Sequence, residues 1–345
     1  MRYLPLDAIT PEMMLARPIF NTDGKVLLSS GMKLLPKYLE RLREMGYEHL
    51  YVYEPGEEKV DFTAPISDKT LSEAMLSVKD SFAKAHLRQH LNLKQVTSVI
   101  DYLIDEILQN PAVLYNLMDL KNHDNYYFLH SINVAVISTM IARNLGLARD
   151  KVKELSMGAL LHDLGMVCVD PAILLKDRPL QQKEKGEITE HPKFGFDLLR
   201  NEPGLSIFVA HTAYQHHERL DGSGYPRGLS GDEIHLYGRI VAVADSFEAM
   251  TSHRAYRKPY WSHEALAELK KEAGVKYDPE VVQAMVDSAA VYPIGSVVRL
   301  NTGEEAVVVD VTATKLTIQF SSGPRINGIY EMAADSELRI EERLS

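Results

Sequence analysis

The chain has 345 residues, a formal net charge of −10 at pH 7, 45% hydrophobic and 25% charged residues. That length allows two or three globular domains, and the negative balance argues against a protein that coats nucleic acid. The single cysteine, Cys168, excludes an internal disulfide and a thiolate metal site, no apolar run reaches the ~18 residues of a membrane span, and the N-terminus lacks a secretory core, so a cytoplasmic protein is expected.

Residues 1–55 read as a small α+β module. Short apolar runs, Pro18-Ile19-Phe20 and Val26-Leu27-Leu28, flank turn signals at Asp23-Gly24 and Ser30-Gly31. A helical stretch from Tyr38 to Met45 ends near Gly46, and Leu50-Tyr51-Val52-Tyr53 reads as a strand. The module holds no set of catalytic side chains and is read as regulatory or partner-binding. Residues 56–67 form a linker, and 68–120 a helical connector whose apolar face includes Ile100, Leu103, Ile104 and Ile107.

Residues 121–292 read as helix after helix. Val134, Ile137, Ile141 and Leu145 make one apolar stripe, ended by Gly146, and His130 falls on it. Leu155 and Ala159 point the same way as His162 and Asp163. On a later helix Val241, Asp245 and Ala249 share a stripe; a carboxylate placed there is costly without a partner. Residues 293–345 change period: Val297–Leu300, Ala306–Val309 and Leu316–Phe320 are β-rich runs expected to form a short antiparallel meander. The fold class expected is mainly α, with a small α+β module before the helical bundle and a β extension after it.

His130, His162, Asp163, His191, His216, His217 and Asp245 are the candidate metal ligands. All offer nitrogen or oxygen, a set that suits iron, manganese, zinc or nickel rather than calcium or magnesium. A carboxylate beside a histidine can bridge two ions; a pair about 3.5–4 Å apart can hold a hydroxide and stabilise a phosphoryl displacement. Any one histidine alone is more often a core or surface residue, and His123, His211, His235, His253 and His263 are read that way.

Four stretches carry a resemblance. They are His162-Asp163 in Leu-Leu-His-Asp-Leu-Gly; His191-Pro192 followed by Gly195; His216-His217-Glu218 with Asp221-Gly222-Ser223-Gly224-Tyr225-Pro226; and Ala244-Asp245 leading to Met250-Thr251-Ser252. With these the chain resembles the HD-GYP family of HD-domain phosphohydrolases over roughly residues 126–291. The first fifty-odd residues more loosely resemble a small domain often fused ahead of it.

The resemblance implies an all-helical bundle that hydrolyses cyclic di-GMP to pGpG or GMP in bacterial second-messenger signalling. It implies all seven candidates as ligands, with Asp163 bridging two divalent transition metals and a bridging hydroxide attacking phosphorus. Iron or manganese is expected first, nickel or zinc next. Gly224, Tyr225 and Pro226 would shape the loop beside the substrate, and Arg254 and Arg257 would hold its phosphates, bidentate donors suited to that task.

Three departures bear on this. Met166 stands where many relatives have lysine, which would slow turnover or narrow the substrate range. Tyr126 stands where members with a third metal carry glutamate, so two ions are expected. Glu248 stands where aspartate is common. The alternatives are a cyclic di-GMP receptor with little hydrolysis, favoured by Met166, and a phosphodiesterase for another cyclic dinucleotide such as cyclic GMP-AMP. Cyclic di-GMP is the expected small-molecule partner. A protein partner at the N-terminal module and a homodimer are also left open; DNA and a membrane span are not expected.

Overall fold

In the computed structural model of the chain, the residues described are 2–16, 18–21, 25–47, 49–53, 66–109, 126–174, 176, 178, 180–252, 260, 262–288, 296–311, 316–332 and 336–343. The N-terminal module holds β1 (Arg2–Pro5), β2 (Met14–Leu15), β3 (Ile19–Phe20), β4 (Val26–Leu28), α1 (Pro36–Glu44) and β5 (His49–Tyr53). β1, β5 and β2 form an antiparallel sheet in that order, and β3 pairs with β4. Proline opens α1, where no amide hydrogen is needed, and Gly46 at φ +84° turns the chain away after it. Leu15, Leu34, Leu42 and Val52 fill the core between helix and sheet.

Residues 69–109 and 126–288 form a separate compact unit made of helices. They are α2 (Asp68–His86), α3 (Leu93–Gln109), α4 (Tyr126–Asn144), α5 (Arg149–Leu160), α6 (Pro171–Leu174), α7 (Gln182–Ile188), α8 (His191–Leu199), α9 (Ile207–Gln215), α10 (Leu236–Thr251), α11 (Ser262–Lys271) and α12 (Pro279–Ser288). α4 lies at the centre, packed against α3, α5, α10 and α12.

The one-stripe expectation for α4 is corrected by this packing: every residue from Leu129 to Ala142 is buried, on all faces. A helix apolar all round belongs inside a bundle. Its polar residues include Thr139, whose hydroxyl bonds Ala135 O at 2.7 Å and shares a 2.6 Å hydrogen bond with Ser156 on α5. α3 buries Val96, Val99, Ile100, Leu103, Ile104 and Ile107, and Arg143 of α4 donates to Ile107 O at 3.2 Å. No helix among the described residues is long and apolar enough to cross a membrane.

The C-terminal strands are β6 (Val297–Leu300), β7 (Glu305–Val311), β8 (Leu316–Phe320), β9 (Ile329–Met332) and β10 (Ile340–Arg343). They form an antiparallel sheet ordered β10-β6-β7-β8-β9. Val298, Leu300, Val308, Ile318 and Phe320 point into its core. The meander expected from the sequence thus has two further strands. β9 leaves Ile329 69% exposed and β10 is charged, so neither shows a clean alternation.

Candidate metal centre

The histidines of the site stand mostly at helix ends. His162 follows the C-terminus of α5, His216 follows that of α9, and His191 comes three residues after α7 and opens α8. The last carbonyls of a helix have no partner within it. Each of these imidazoles supplies one: Nδ1 of His162 lies 2.7 Å from Ala159 O, Nδ1 of His191 2.6 Å from Ile188 O, and Nδ1 of His216 2.7 Å from Ala213 O. A carbonyl oxygen only accepts, so Nδ1 carries the proton in all three and Nε2 keeps its lone pair. His130 projects from the second turn of α4, and its Nδ1 is met by a carboxylate instead of a carbonyl, Glu248 Oε2 at 2.6 Å.

These Nε2 atoms converge on Asp163. The separations to its oxygens are 3.6 Å from His130, 3.5 Å from His162, 3.2 Å from His191 and 3.6 Å from His216. Asp245, on α10, lies 3.3 Å from His130 Nε2 and 3.7 Å from His217 Nδ1. All seven candidate ligands therefore meet in one place. His191, His216 and His217 make one potential ligand group, His130, His162 and Asp245 a second, and His162, Asp163 and His216 a third, with donor atoms within 4.8 Å of one another in each.

The electrostatics follow from burial and opposed charge. Burial pushes the Asp163 carboxyl up, but the imidazoles of His162, His191 and His216 packed around it outweigh that and hold the group well below the carboxylate range. Asp245 is likewise driven down against burial by His130 and His217. Burial lowers His130 and His217, and takes His216 to about 4. Burial would lower His191 too, but the Asp163 carboxylate beside it favours the protonated ring and raises it.

Two observations test whether these residues fit a metal. His162 Nε2 is buried and has no hydrogen-bond partner, a costly state for a polar atom. His191 Nε2 and His216 Nε2 stand 3.2 Å apart although each ring has its proton on Nδ1, so two lone pairs face each other. A divalent cation relieves both, and a set of imidazoles with two carboxylates suits a transition metal. The fit is good.

The loop after His217 is tied to the site through backbone. Tyr225 N donates to His217 O at 3.2 Å, and the Tyr225 ring packs on the His217 ring with centroids 4.6 Å apart. Burial pushes the Tyr225 phenol up, so it stays protonated. A Cβ on Gly224 would lie 2.5 Å from Arg219 N, Glu218 Cα and His217 O, so only glycine lets the loop fold back this closely. The Tyr225–Pro226 peptide is cis.

Glu218 follows the histidine pair in the motif, with no role legible from the sequence. It is buried and accepts from Arg227 N at 2.8 Å and Leu229 N at 3.0 Å, which ties the far side of the loop to the histidine pair. A charged residue directly after two candidate ligand histidines was the available signal. His235, read as non-ligating, caps α10 by accepting from Tyr237 N. Met166 sits half-buried in the 3₁₀ turn after Asp163. Arg254 and Arg257, with His123 and His253, lie outside the described residues, and nothing is described of the Tyr126 side chain.

The HD domain family profile matches residues 102–281. A cyclic di-GMP phosphodiesterase of Pseudomonas aeruginosa, PA4108, is 34% identical over 239 residues, which is 69% of this chain and 58% of that one. 3'3'-cGAMP-specific phosphodiesterase 1 of Vibrio cholerae is 35% identical over 190 residues, 55% of this chain and 43% of its own. The chain thus spans about half the length of such relatives. Among solved structures, Bd1817, an HDG"Y"P protein from Bdellovibrio bacteriovorus, superposes with a TM-score of 0.54 at 17% identity, over 83% of this chain and 98% of that one, a likeness of fold. With the profile spanning more than half the residues and the histidine-aspartate cluster assembled as described, the chain belongs to the HD domain family, in its HD-GYP branch.

Proposed function

We propose that the chain is a metal-dependent phosphodiesterase that opens cyclic di-GMP, giving pGpG or GMP, and that it does so with two divalent transition ions, iron or manganese. The observation that supports this most is the convergence of four Nε2 lone pairs on Asp163, three of them fixed by helix-end carbonyls. The 34% identical relative named for that substrate supports the choice of nucleotide.

When bound, such ions supply a nucleophilic water at neutral pH and polarise the phosphoryl oxygens. The chain's own residues do the rest. His130, His162, His191, His216, His217 and Asp245 would hold the ions, and Asp163, whose carboxyl is held well below the usual carboxylate range, would be the carboxylate shared between them. Gly224 keeps the loop close to the histidine pair, leaving Tyr225 and Pro226 to line the substrate side. Arg254 and Arg257 are assigned to the phosphates by their guanidinium chemistry.

The test is protein loaded anaerobically with Fe(II), Mn(II) or Ni(II) and incubated with cyclic di-GMP, with cyclic GMP-AMP as competitor. Release of pGpG or GMP is expected. Tight nucleotide binding without product favours a receptor, the reading Met166 suggests, since that side chain offers no charge to a phosphate. Preferred turnover of cyclic GMP-AMP moves the protein towards the Vibrio cholerae relative. No binding and no product with any of the three metals overturns the proposal.

A further inference from the structure

His130 differs from the other histidines of the site. It lies in the second turn of α4, where the carbonyls of the turn before it are already taken by the helix itself. No free carbonyl can fix its ring, so something else must select the nitrogen that faces Asp163 and Asp245. Glu248, one turn after Asp245 on α10, is fully buried and reaches His130 Nδ1 at 2.6 Å through Oε2. Its other oxygen accepts from Asn133 Nδ2 at 3.0 Å and Ser252 Oγ at 3.0 Å. Asn133 lies one turn after His130 on α4, so a single carboxylate clamps two points of α4 to α10.

Resting on the reading of this site as a metal centre, we infer that Glu248 is a positioning residue that fixes the His130 tautomer and so completes the His130–His162–Asp245 ligand group. A carboxylate behind a ligating imidazole holds the ring, keeps the proton on the far nitrogen and strengthens the donor. The length of the side chain is part of the device. Aspartate, one methylene shorter, would draw back by ~1.5 Å and turn a 2.6 Å hydrogen bond into no bond at all. The glutamate at this position is therefore matched to His130.

The experiment uses the full chain and compares Glu248→Gln, Glu248→Asp and Glu248→Leu with the unaltered protein. The readouts are histidine ¹⁵N shifts in the metal-free state and Mn(II) affinity by competition with a chelator. The His130 signals are identified by their absence in His130→Gln. The unaltered protein is expected to show His130 protonated at Nδ1. Glu248→Gln, which still presents an accepting oxygen, keeps that form and loses only a few-fold in affinity. Glu248→Asp and Glu248→Leu mix the tautomers and lose ~10–100-fold.

Should Glu248→Leu fail to fold, Glu248→Asp carries the comparison alone. Unchanged tautomer and affinity within twofold in the folded Asp variant overturn the inference. Neither readout uses nucleotide, so a protein that passes here and hydrolyses nothing refutes the proposed activity without touching the role of Glu248.

Discussion

Asp163 is met by four imidazoles, and no other acid in the described chain has that company. Asp163→Asn keeps the shape and removes the charge that those lone pairs and a cation share. Turnover is expected to fall ~100-fold or more, since misplacing reacting groups by about 1 Å can already cost that much. Metal content by elemental analysis should fall with it, and an Asn variant with full metal and full activity would refute the bridging role. His216 gives a prediction in pH. Its folded value of about 4 lies below the ~6.5 of an unfolded histidine, so below pH 6.5 the unfolded chain binds a proton that the folded one refuses. Stability therefore falls as pH drops from 6.5 to 4, by about 3 kcal/mol from this group. Urea melts of the metal-free protein should show a steeper pH slope than those of His216→Gln; equal slopes would refute the assignment. That these seven residues come together could be anticipated because ligand chemistry restricts a candidate site to a few residue types in recurring motifs. The contacts of Glu218 and Glu248 could not, because what they do depends on partners brought near by folding: backbone amides nine and eleven residues on for one, a histidine 118 residues away for the other.

At the scale of the element, the site is a set of helix ends brought to one point, and two glycines permit the approach. A Cβ on Gly165 would lie 2.0 Å from His191 O and 2.4 Å from Gly195 N, where the 3₁₀ turn after Asp163 crosses the start of α8. Both neighbours are backbone and cannot swing aside. Gly165→Ala and Gly224→Ala should each cost at least 1–3 kcal/mol, the range of an overpacked interior, and lose metal in step because His162 and His191, or His217, move with the strained backbone. Gly186→Ala, in α7 with nothing within 4 Å, is the contrast: it should leave metal binding alone and raise stability by about 0.5–1 kcal/mol. Urea midpoints and bound metal, measured on all three, check this; indifference at Gly165 would mean the crossing is looser than described. Helix positions were readable from period, and turns from glycine and proline. The burial of α4 on every face was not, because a stripe of large residues hides the fact that its small residues are also covered. β9 and β10 escaped for the opposite reason: their exposed and charged residues carry no period to read.

For the whole molecule, the question is which parts the metal centre needs. All seven ligand candidates and every helix packed behind them fall within residues 69–288. α2 and α3 look dispensable, since they contribute no ligand, yet α3 presses six aliphatic residues onto the bundle. Fully burying each such side chain contributes about 1.5–3 kcal/mol before the entropy of ordering the helix is set against it, and deleting α3 would also bare the apolar face of the bundle on which it packs. The ion pairs Lys153–Asp101 and Arg149–Asp105 tie α5 to α3 as well, but these are exposed or half-exposed and weigh far less. A chain spanning residues 66–288 should therefore fold, take up metal and turn over any nucleotide that the full chain does. One beginning at residue 126 should be unfolded or molten, with weak near-ultraviolet circular dichroism and little bound metal, although it keeps every ligand. If the shorter chain bound metal as tightly as the longer one, α2 and α3 would be a passive connector, and the stability of the centre would have to come from the ligand helices alone.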